Sequence, residues 1–200
     1  MNTAMFGGSF DPVHNGHVQL AQAFIKELSL DKVFIVPAFI SPFKQGGAAV
    51  LPHHRAEMCR LAFSNIPQAE ISDIEIKREG SSYTYQTLQA LTDKLDTDKI
   101  FLITGADSFM SIHKWKEPEI IFRHAVICGL PRNDDDISAL EKQSEYLHGL
   151  GAETRILNIS VMTVSSTDIR CKAAKGESIR GLVPDDVERY IIENGLYFQK

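Results

Sequence analysis

The chain has 200 residues, 44% hydrophobic and 24% charged, a balance that excludes a disordered polymer and suits one folded unit with a sizeable core. Lys and Arg number 21 against 26 Asp and Glu, for a formal charge of −5. That argues against a protein that coats nucleic acid through bulk charge, while leaving room for a locally basic site.

The predicted elements alternate along the chain. Thr3 to Phe6 reads as a short strand entering Gly7-Gly8, and after His17 the residues Val18, Ala21, Phe24, Ile25 and Leu28 fall at helical spacing. Val33 to Val36 is a buried strand stopped by Pro37; Met58, Leu61, Ala62 and Ile66 mark a second helix. Ile71, Ile74 and Ile76 suggest a third strand, followed by a helix on Tyr85, Leu88, Leu91 and Leu95. Ile100 to Ile103 is the clearest buried strand, and Ala125 to Cys128 follows after an irregular stretch containing Trp115. Asp134-Asp135-Asp136 precedes a helix on Ile137, Leu140, Leu147 and Leu150, and Arg155 to Val161 reads as a sixth strand. Pro184 with Asp185 and Asp186 opens a last helix that Asn194-Gly195 closes.

Strands separated by helices predict an α/β fold, a doubly wound parallel sheet of Rossmann-like type with its ligand at the carboxyl ends of the strands. Residues 1–200 read as one domain, in which 165–200 form a C-terminal helical segment. Cys59, Cys128 and Cys171 are scattered and form no C-x-x-C pair, so neither a disulfide framework nor a thiolate zinc site is indicated. No basic-then-apolar leader and no run of ~20 apolar residues is present. The expectation is a cytoplasmic protein with no membrane and no nucleic acid as partner; homo-oligomers are left open.

Gly7-Gly8-Ser9-Phe10-Asp11-Pro12-Val13-His14-Asn15-Gly16-His17 joins the first strand to the first helix. Glycines let backbone amides approach a ligand, and a helix start points its positive end at the same place, so phosphate suits the turn. Taken alone, His14 and His17 read more readily as solvent-facing turn residues than as ligands. The dinucleotide fingerprint G-x-G-x-x-G is missing, which argues against a nicotinamide dehydrogenase.

Four further segments are candidates to carry chemistry. Ser165-x-x-Asp168 is a capping box with Arg170 one turn in, either a plain capped helix or one more phosphate site. Trp115, the only Trp, is flanked by Lys114 and Lys116 and serves either the core or a flat ring stacked on it. Thr84 opens a helix where a carboxylate would be received. Residues 32–56 hold Lys32, Lys44 and Arg55 and no acid, which makes Lys44 and Arg55 candidate phosphate contacts and leaves His53 and His54 unassigned. Gln45-Gly46-Gly47-Ala48-Ala49 is either a lid or a surface loop.

The eleven-residue string resembles the signature of the nucleotidylyltransferase superfamily, with His14-Asn15-Gly16-His17 as its His-x-Gly-His tetrapeptide; the phosphopantetheine enzymes have Thr at the position of His14. Ser82-Tyr83-Thr84-Tyr85-Gln86-Thr87-Leu88, Gly105-Ala106-Asp107 with Trp115, and Ser165-Ser166-Thr167-Asp168-Ile169-Arg170 narrow the resemblance to the bacterial nicotinate-nucleotide adenylyltransferase family. Where that family often has P-P-H-K, this chain has Ser41-Pro42-Phe43-Lys44. The resemblance implies adenylyl transfer from ATP to nicotinate mononucleotide, with pyrophosphate released and Mg²⁺ held mainly by ATP phosphates and water. It implies His14, His17, Lys44 and Arg170 as catalytic groups. ATP would meet Gly7, Gly8, Ser9, Phe10, His14, His17, Arg55, Gly105, Asp107, Ser165, Ser166, Thr167 and Arg170; the acceptor would meet Lys44, Tyr83, Thr84 and Trp115. A negative neighbour at the turn would favour protonated histidine. Transfer to nicotinamide mononucleotide or another phosphomonoester, and a non-catalytic nucleotide-binding module, are the alternatives.

Overall fold

The computed structural model describes residues 1–42, 49–131, 136–159 and 161–198. Six parallel strands form one sheet in the order β3-β2-β1-β4-β5-β6: β1 (Thr3–Gly8), β2 (Lys32–Pro37), β3 (Ala69–Ile71), β4 (Ile100–Ile103), β5 (Ala125–Gly129) and β6 (Glu153–Ile156). The chain winds outward from β1 to one edge, returns, and winds to the other. The crevice at the strand ends therefore opens between β1 and β4, the switch point of a doubly wound sheet.

Strand side chains alternate between two apolar clusters. Ala4, Phe6, Val33 and Ile35 face one side, covered by α1 (Asn15–Glu27), α2 (Pro52–Phe63), α8 (Ser166–Ala174) and α9 (Asp185–Glu193). Met5, Phe34, Val36 and Leu102 face the other, covered by α4 (Thr84–Leu95), α5 (Ala106–Ser111), α6 (Pro118–His124) and α7 (Asp136–Gly149). With both faces covered, the strands read as continuous apolar runs, as parallel strands do. Ile169, Val187 and Ile191 of α8 and α9 lie in the first cluster, so the C-terminal helices pack on the sheet's own core.

Two strand expectations are corrected. The third strand ends at Ile71, where the Ser72 amide takes the Ile35 carbonyl, and Ile74–Arg78 forms the short helix α3 instead. In that helix Glu75, not a neighbouring Ile, is the buried residue. The sixth strand spans Glu153–Ile156 rather than 155–161, because its partner stops at Gly129 and the Leu157 amide takes that last carbonyl. The first helix begins at Asn15, before His17, and the stretch around Trp115 resolves into α5, a 3₁₀ turn (Ile112–Lys114) and α6. Lys44 and positions 45–48 of the glycine-rich loop lie outside the described residues, as do Asp134 and Asp135.

Candidate active site

The two histidines cap α1 reciprocally. His14 Nδ1 accepts the His17 backbone N–H at 3.3 Å, and His17 Nδ1 accepts the His14 N–H at 3.2 Å. Their rings stack with centroids 3.6 Å apart. With each Nδ1 accepting, the ring proton of each sits on Nε2, which makes both donors rather than bases in this arrangement. Burial lowers His14 from 6.5 to about 4, and a proton on Nδ1 would also break the cap. The expectation of a protonated pair is corrected for His14: it is a neutral Nε2–H donor.

This depressed pKa has a sign. Between about pH 6.5 and 4 the unfolded chain binds a proton at position 14 that the folded chain refuses, so stability falls with pH across that window, by roughly 3 kcal/mol at most. Urea unfolding at pH 7 and pH 4.5 measures the loss. His14→Asn, which can still cap the helix, should flatten the slope.

Two cavities open at the strand ends, and the pair lines one of them. One of about 230 Å³ lies beyond the β1 turn, where Gly7, Gly8, Ser9, Thr84, Trp115 and Glu75 contribute to its wall. A second, about 240 Å³, is bounded by His14, His17, Asp107 and residues 161–164. Gly105 and Ser108 belong to both walls. A Cβ on Gly16 would lie 2.7 Å from the Met162 carbonyl oxygen. The bare helix start is thus what lets residues 161–164 close over α1, where Gln19 Oε1 accepts the Met162 N–H at 2.9 Å.

The loop between Ser9 and His14 is held from three directions. The Asp11 carboxylate, 2% exposed, accepts the Ala49 N–H at 2.8 Å and the Tyr197 hydroxyl at 2.9 Å. Burial, and then the Asp11 charge, push the Tyr197 phenol far above its ordinary range. From α8, Arg170 Nη1 donates to the Asp11 carbonyl at 2.8 Å, Arg170 Nη2 to the Thr167 hydroxyl at 3.1 Å, and Ser166 Oγ to the Pro12 carbonyl at 2.9 Å. Arg55, 1% exposed, donates to the carbonyls of Ser9 at 2.7 Å, Phe39 at 3.0 Å and Val50 at 3.4 Å.

At the far end of the first cavity, α4 starts at Thr84 with Tyr83 as N-cap, and no side chain caps its first amides. Its N-terminus therefore keeps donor capacity for an anion. Thr84 and Trp115 also line a small adjoining recess with Lys114 and Lys116. Lys116 Nζ sits 5.0 Å from the Tyr83 ring centroid.

A profile described as cytidylyltransferase-like matches residues 5–172. The chain is 40% identical over 195 residues to a protein of Roseiflexus castenholzii, covering 98% of this chain and 97% of that one. It is 35% identical over 194 residues to one of Lachnoclostridium phytofermentans, covering 96% and 97%. Both relatives carry the name "Probable nicotinate-nucleotide adenylyltransferase". The chain belongs to the nicotinate-nucleotide adenylyltransferase family. In structure it is similar to the Plasmodium falciparum nicotinic acid mononucleotide adenylyltransferase complexed with NaAD, with a TM-score of 0.78 at 19% identity, covering 98% of this chain and 97% of that one. That likeness shows the fold.

The structure brings the residues expected from the sequence to this crevice unevenly. Gly7, Gly8, Ser9, His14, His17, Gly105, Asp107, Thr84 and Trp115 line its cavities, and Tyr83 lines the recess. Two expectations are corrected on geometry. Phe10 is 2% exposed and its ring packs edge-on to Phe6 and His17, so its side chain is taken up in packing. Arg55 is buried with its donors on backbone carbonyls, which makes it a brace of the phosphate-facing loops rather than a free cation at the cleft. The hydroxyls of Ser165, Ser166 and Thr167 are each engaged within the protein, Ser165 as the cap of α8. His54 Nδ1 meets the Tyr190 hydroxyl at 2.9 Å, tying α2 to α9. Sequence reasoning missed Asp11 as an anchor, although it lies inside the motif, and missed Tyr197 and Glu75, for which no local pattern was available.

Proposed function

We propose that this protein transfers the adenylyl group of ATP to nicotinate mononucleotide, giving nicotinate adenine dinucleotide and pyrophosphate. The observation that carries this reading is the paired arrangement of cavities, which meet at Gly105 and Ser108 beside the stacked histidines. The acceptor's phosphate oxygen attacks the α-phosphorus; the bond from that phosphorus to the bridging oxygen breaks, and pyrophosphate leaves with the electron pair. A phosphate monoester is already anionic near neutral pH, its second pKa lying near 6, so no general base is needed. The task is to hold two polyanions in line and to donate to charge developing on the α-phosphate.

In this reading the Nε2–H groups of His14 and His17 face the α-phosphate, with the amides of the Gly7-Gly8-Ser9 turn beside them. Arg170, and Lys44 from the segment after β2, neutralise phosphate charge. Residues 161–164 with Gly105 and Asp107 hold the adenosine end. Trp115 stacks on the pyridine ring, and the α4 N-terminus at Thr84, with Tyr83, receives the carboxylate. Truncating Trp115 to Ala should weaken the pyridine nucleotide by about 1–3 kcal/mol, the range of ring stacking on an aromatic side chain, and leave ATP affinity nearly unchanged. Calorimetric titration of each substrate checks it; equal weakening of both would assign Trp115 to packing.

Among the described residues no group of three or more His, Cys, Asp or Glu side chains gathers to hold a metal ion. In this reading a divalent cation, Mg²⁺, would be carried by substrate phosphates and water. Such a cation supplies charge neutralisation on the departing pyrophosphate. Chelation should abolish turnover without lowering the melting temperature, and Mg²⁺ should restore it. No helix among the described residues is long and apolar enough to cross a membrane.

Comparing turnover on the acid and amide mononucleotides tests the acceptor. The uncapped α4 amides, Lys114 and Lys116 lead us to expect the acid to be used at least tenfold better on the scale of one charged hydrogen bond, roughly 1.5–3 kcal/mol. Equal use of both would move the reading to a general pyridine mononucleotide adenylyltransferase.

A further inference from the structure

Glu75 is unexplained by the roles assigned so far. It is 4% exposed, yet it lines the cavity that Trp115 and Thr84 share. Its Oε1 accepts the Thr87 hydroxyl at 2.6 Å, and no hydrogen bond to its other oxygen is seen among the described residues, where the buried side-chain atom left without a partner is Arg78 Nε. Nor is there a direct ion pair: Arg78 Nη2 stops at the same Thr87 hydroxyl, 3.1 Å away, and Arg55, which feels the Glu75 charge, spends its donors on backbone carbonyls. A carboxylate largely removed from water on the wall of a cavity favours a cation in that cavity.

The pyridine of a mononucleotide acceptor supplies that charge. Its ring nitrogen is bonded to ribose and carries a permanent positive charge at every pH, while the carboxylate on C3, two ring atoms away, is negative. The wall of the site has the same polarity. Glu75 stands in the main cavity, and Lys114 and Lys116 stand in the adjoining recess, with Ser82, Thr84 and Trp115 common to both. The Trp115 face adds a surface on which a cation is favoured.

We propose that Glu75 is the counter-charge of the pyridinium ring, so that the site selects a cationic pyridine over a neutral one. The inference rests on the acceptor assignment above and adds the charge state of the ring to it. Glu75 provides the field, and Thr87 fixes the carboxylate without contributing charge.

The test is calorimetric titration of the full chain with nicotinate mononucleotide and with its reduced 1,4-dihydropyridine form. The two share phosphate, ribose and carboxylate and differ in the ring, an aromatic cation in one and a neutral dihydropyridine in the other; Glu75→Gln separates the charge from the change in stacking. The wild type should bind the oxidised form at least roughly tenfold more tightly, the scale of one partly screened charge pair. Glu75→Gln, which keeps shape and an acceptor for Thr87, should lose roughly tenfold for the oxidised form and less than about twofold for the reduced one. Thr87→Val should lower both affinities alike and keep the preference. The proposal is overturned if the wild type shows no preference, if Glu75→Gln weakens both forms equally or neither, or if Thr87→Val erases the preference as Glu75→Gln does. A wild type that binds neither form overturns the acceptor assignment itself, and the inference with it.

Discussion

His17→Ala is expected to lower kcat by roughly 10²–10³ while leaving a folded protein, the scale of removing one preorganised donor from a developing oxyanion. The ring does two jobs. Its Nε2–H is placed toward the cleft because its Nδ1 is occupied by the His14 backbone N–H at 3.2 Å. Losing the ring also removes half of the reciprocal cap, at a cost of about 1 kcal/mol. His17→Asn separates the two, since a side-chain amide can restore the cap without reproducing the donor position. The Ala and Asn variants should therefore share the deficit in turnover and differ in melting temperature. Steady-state kinetics and thermal melts on both check this; an Ala variant with near wild-type turnover would remove the histidine pair from the chemistry.

Arg55→Met is expected to have the largest effect on stability. The guanidinium satisfies the carbonyls of Ser9, Phe39 and Val50 from a position 1% exposed to solvent. Removing it strands buried acceptors at about 1–3 kcal/mol each, and leaves the Asp11 charge without the cation that its field favours. A net loss of at least about 3 kcal/mol follows, or on the order of 6–12 °C in Tm for a chain of this size. Because Ser9 lines the cleft, ATP affinity should fall as well, in proportion to the loosening of that loop. An unchanged Tm with a large loss of ATP affinity would instead place the guanidinium on a phosphate, as the residue pattern alone suggested.

What the sequence disclosed and what it concealed divide along physical lines. β1, β2, β4 and β5 were legible because strands buried on both faces must be apolar throughout, and the glycine turn was legible because close backbone approach needs glycine. The last helix announced itself through Pro184, two aspartates and a closing Asn194. The failures came where tertiary context outweighed local pattern. Ile74 and Ile76 mimic a strand, but the sheet ladder ends at Ser72 and the buried residue is Glu75. Taken alone the histidines read as solvent-facing turn residues, whereas His14 is buried and both Nδ1 atoms are engaged in the helix cap, a geometry that no spacing rule predicts. Arg55 lies in a basic window and reads as a phosphate contact, although its partners are carbonyls brought together only by the fold. Tyr197 reaches Asp11 across 186 residues of sequence, beyond any periodicity.

His14 and His17 line the cavity assigned above to ATP, which shares Gly105 and Ser108 with the Trp115 cavity assigned to the pyridine nucleotide. The most direct measurement incubates the full chain with ATP, Mg²⁺ and nicotinate mononucleotide and follows pyrophosphate and dinucleotide together. The account predicts nicotinate adenine dinucleotide and pyrophosphate in equal amounts, dependent on both substrates and lost in His17→Ala. Tight binding of both nucleotides with no dinucleotide formed would contradict it and leave a binding module in place of an enzyme.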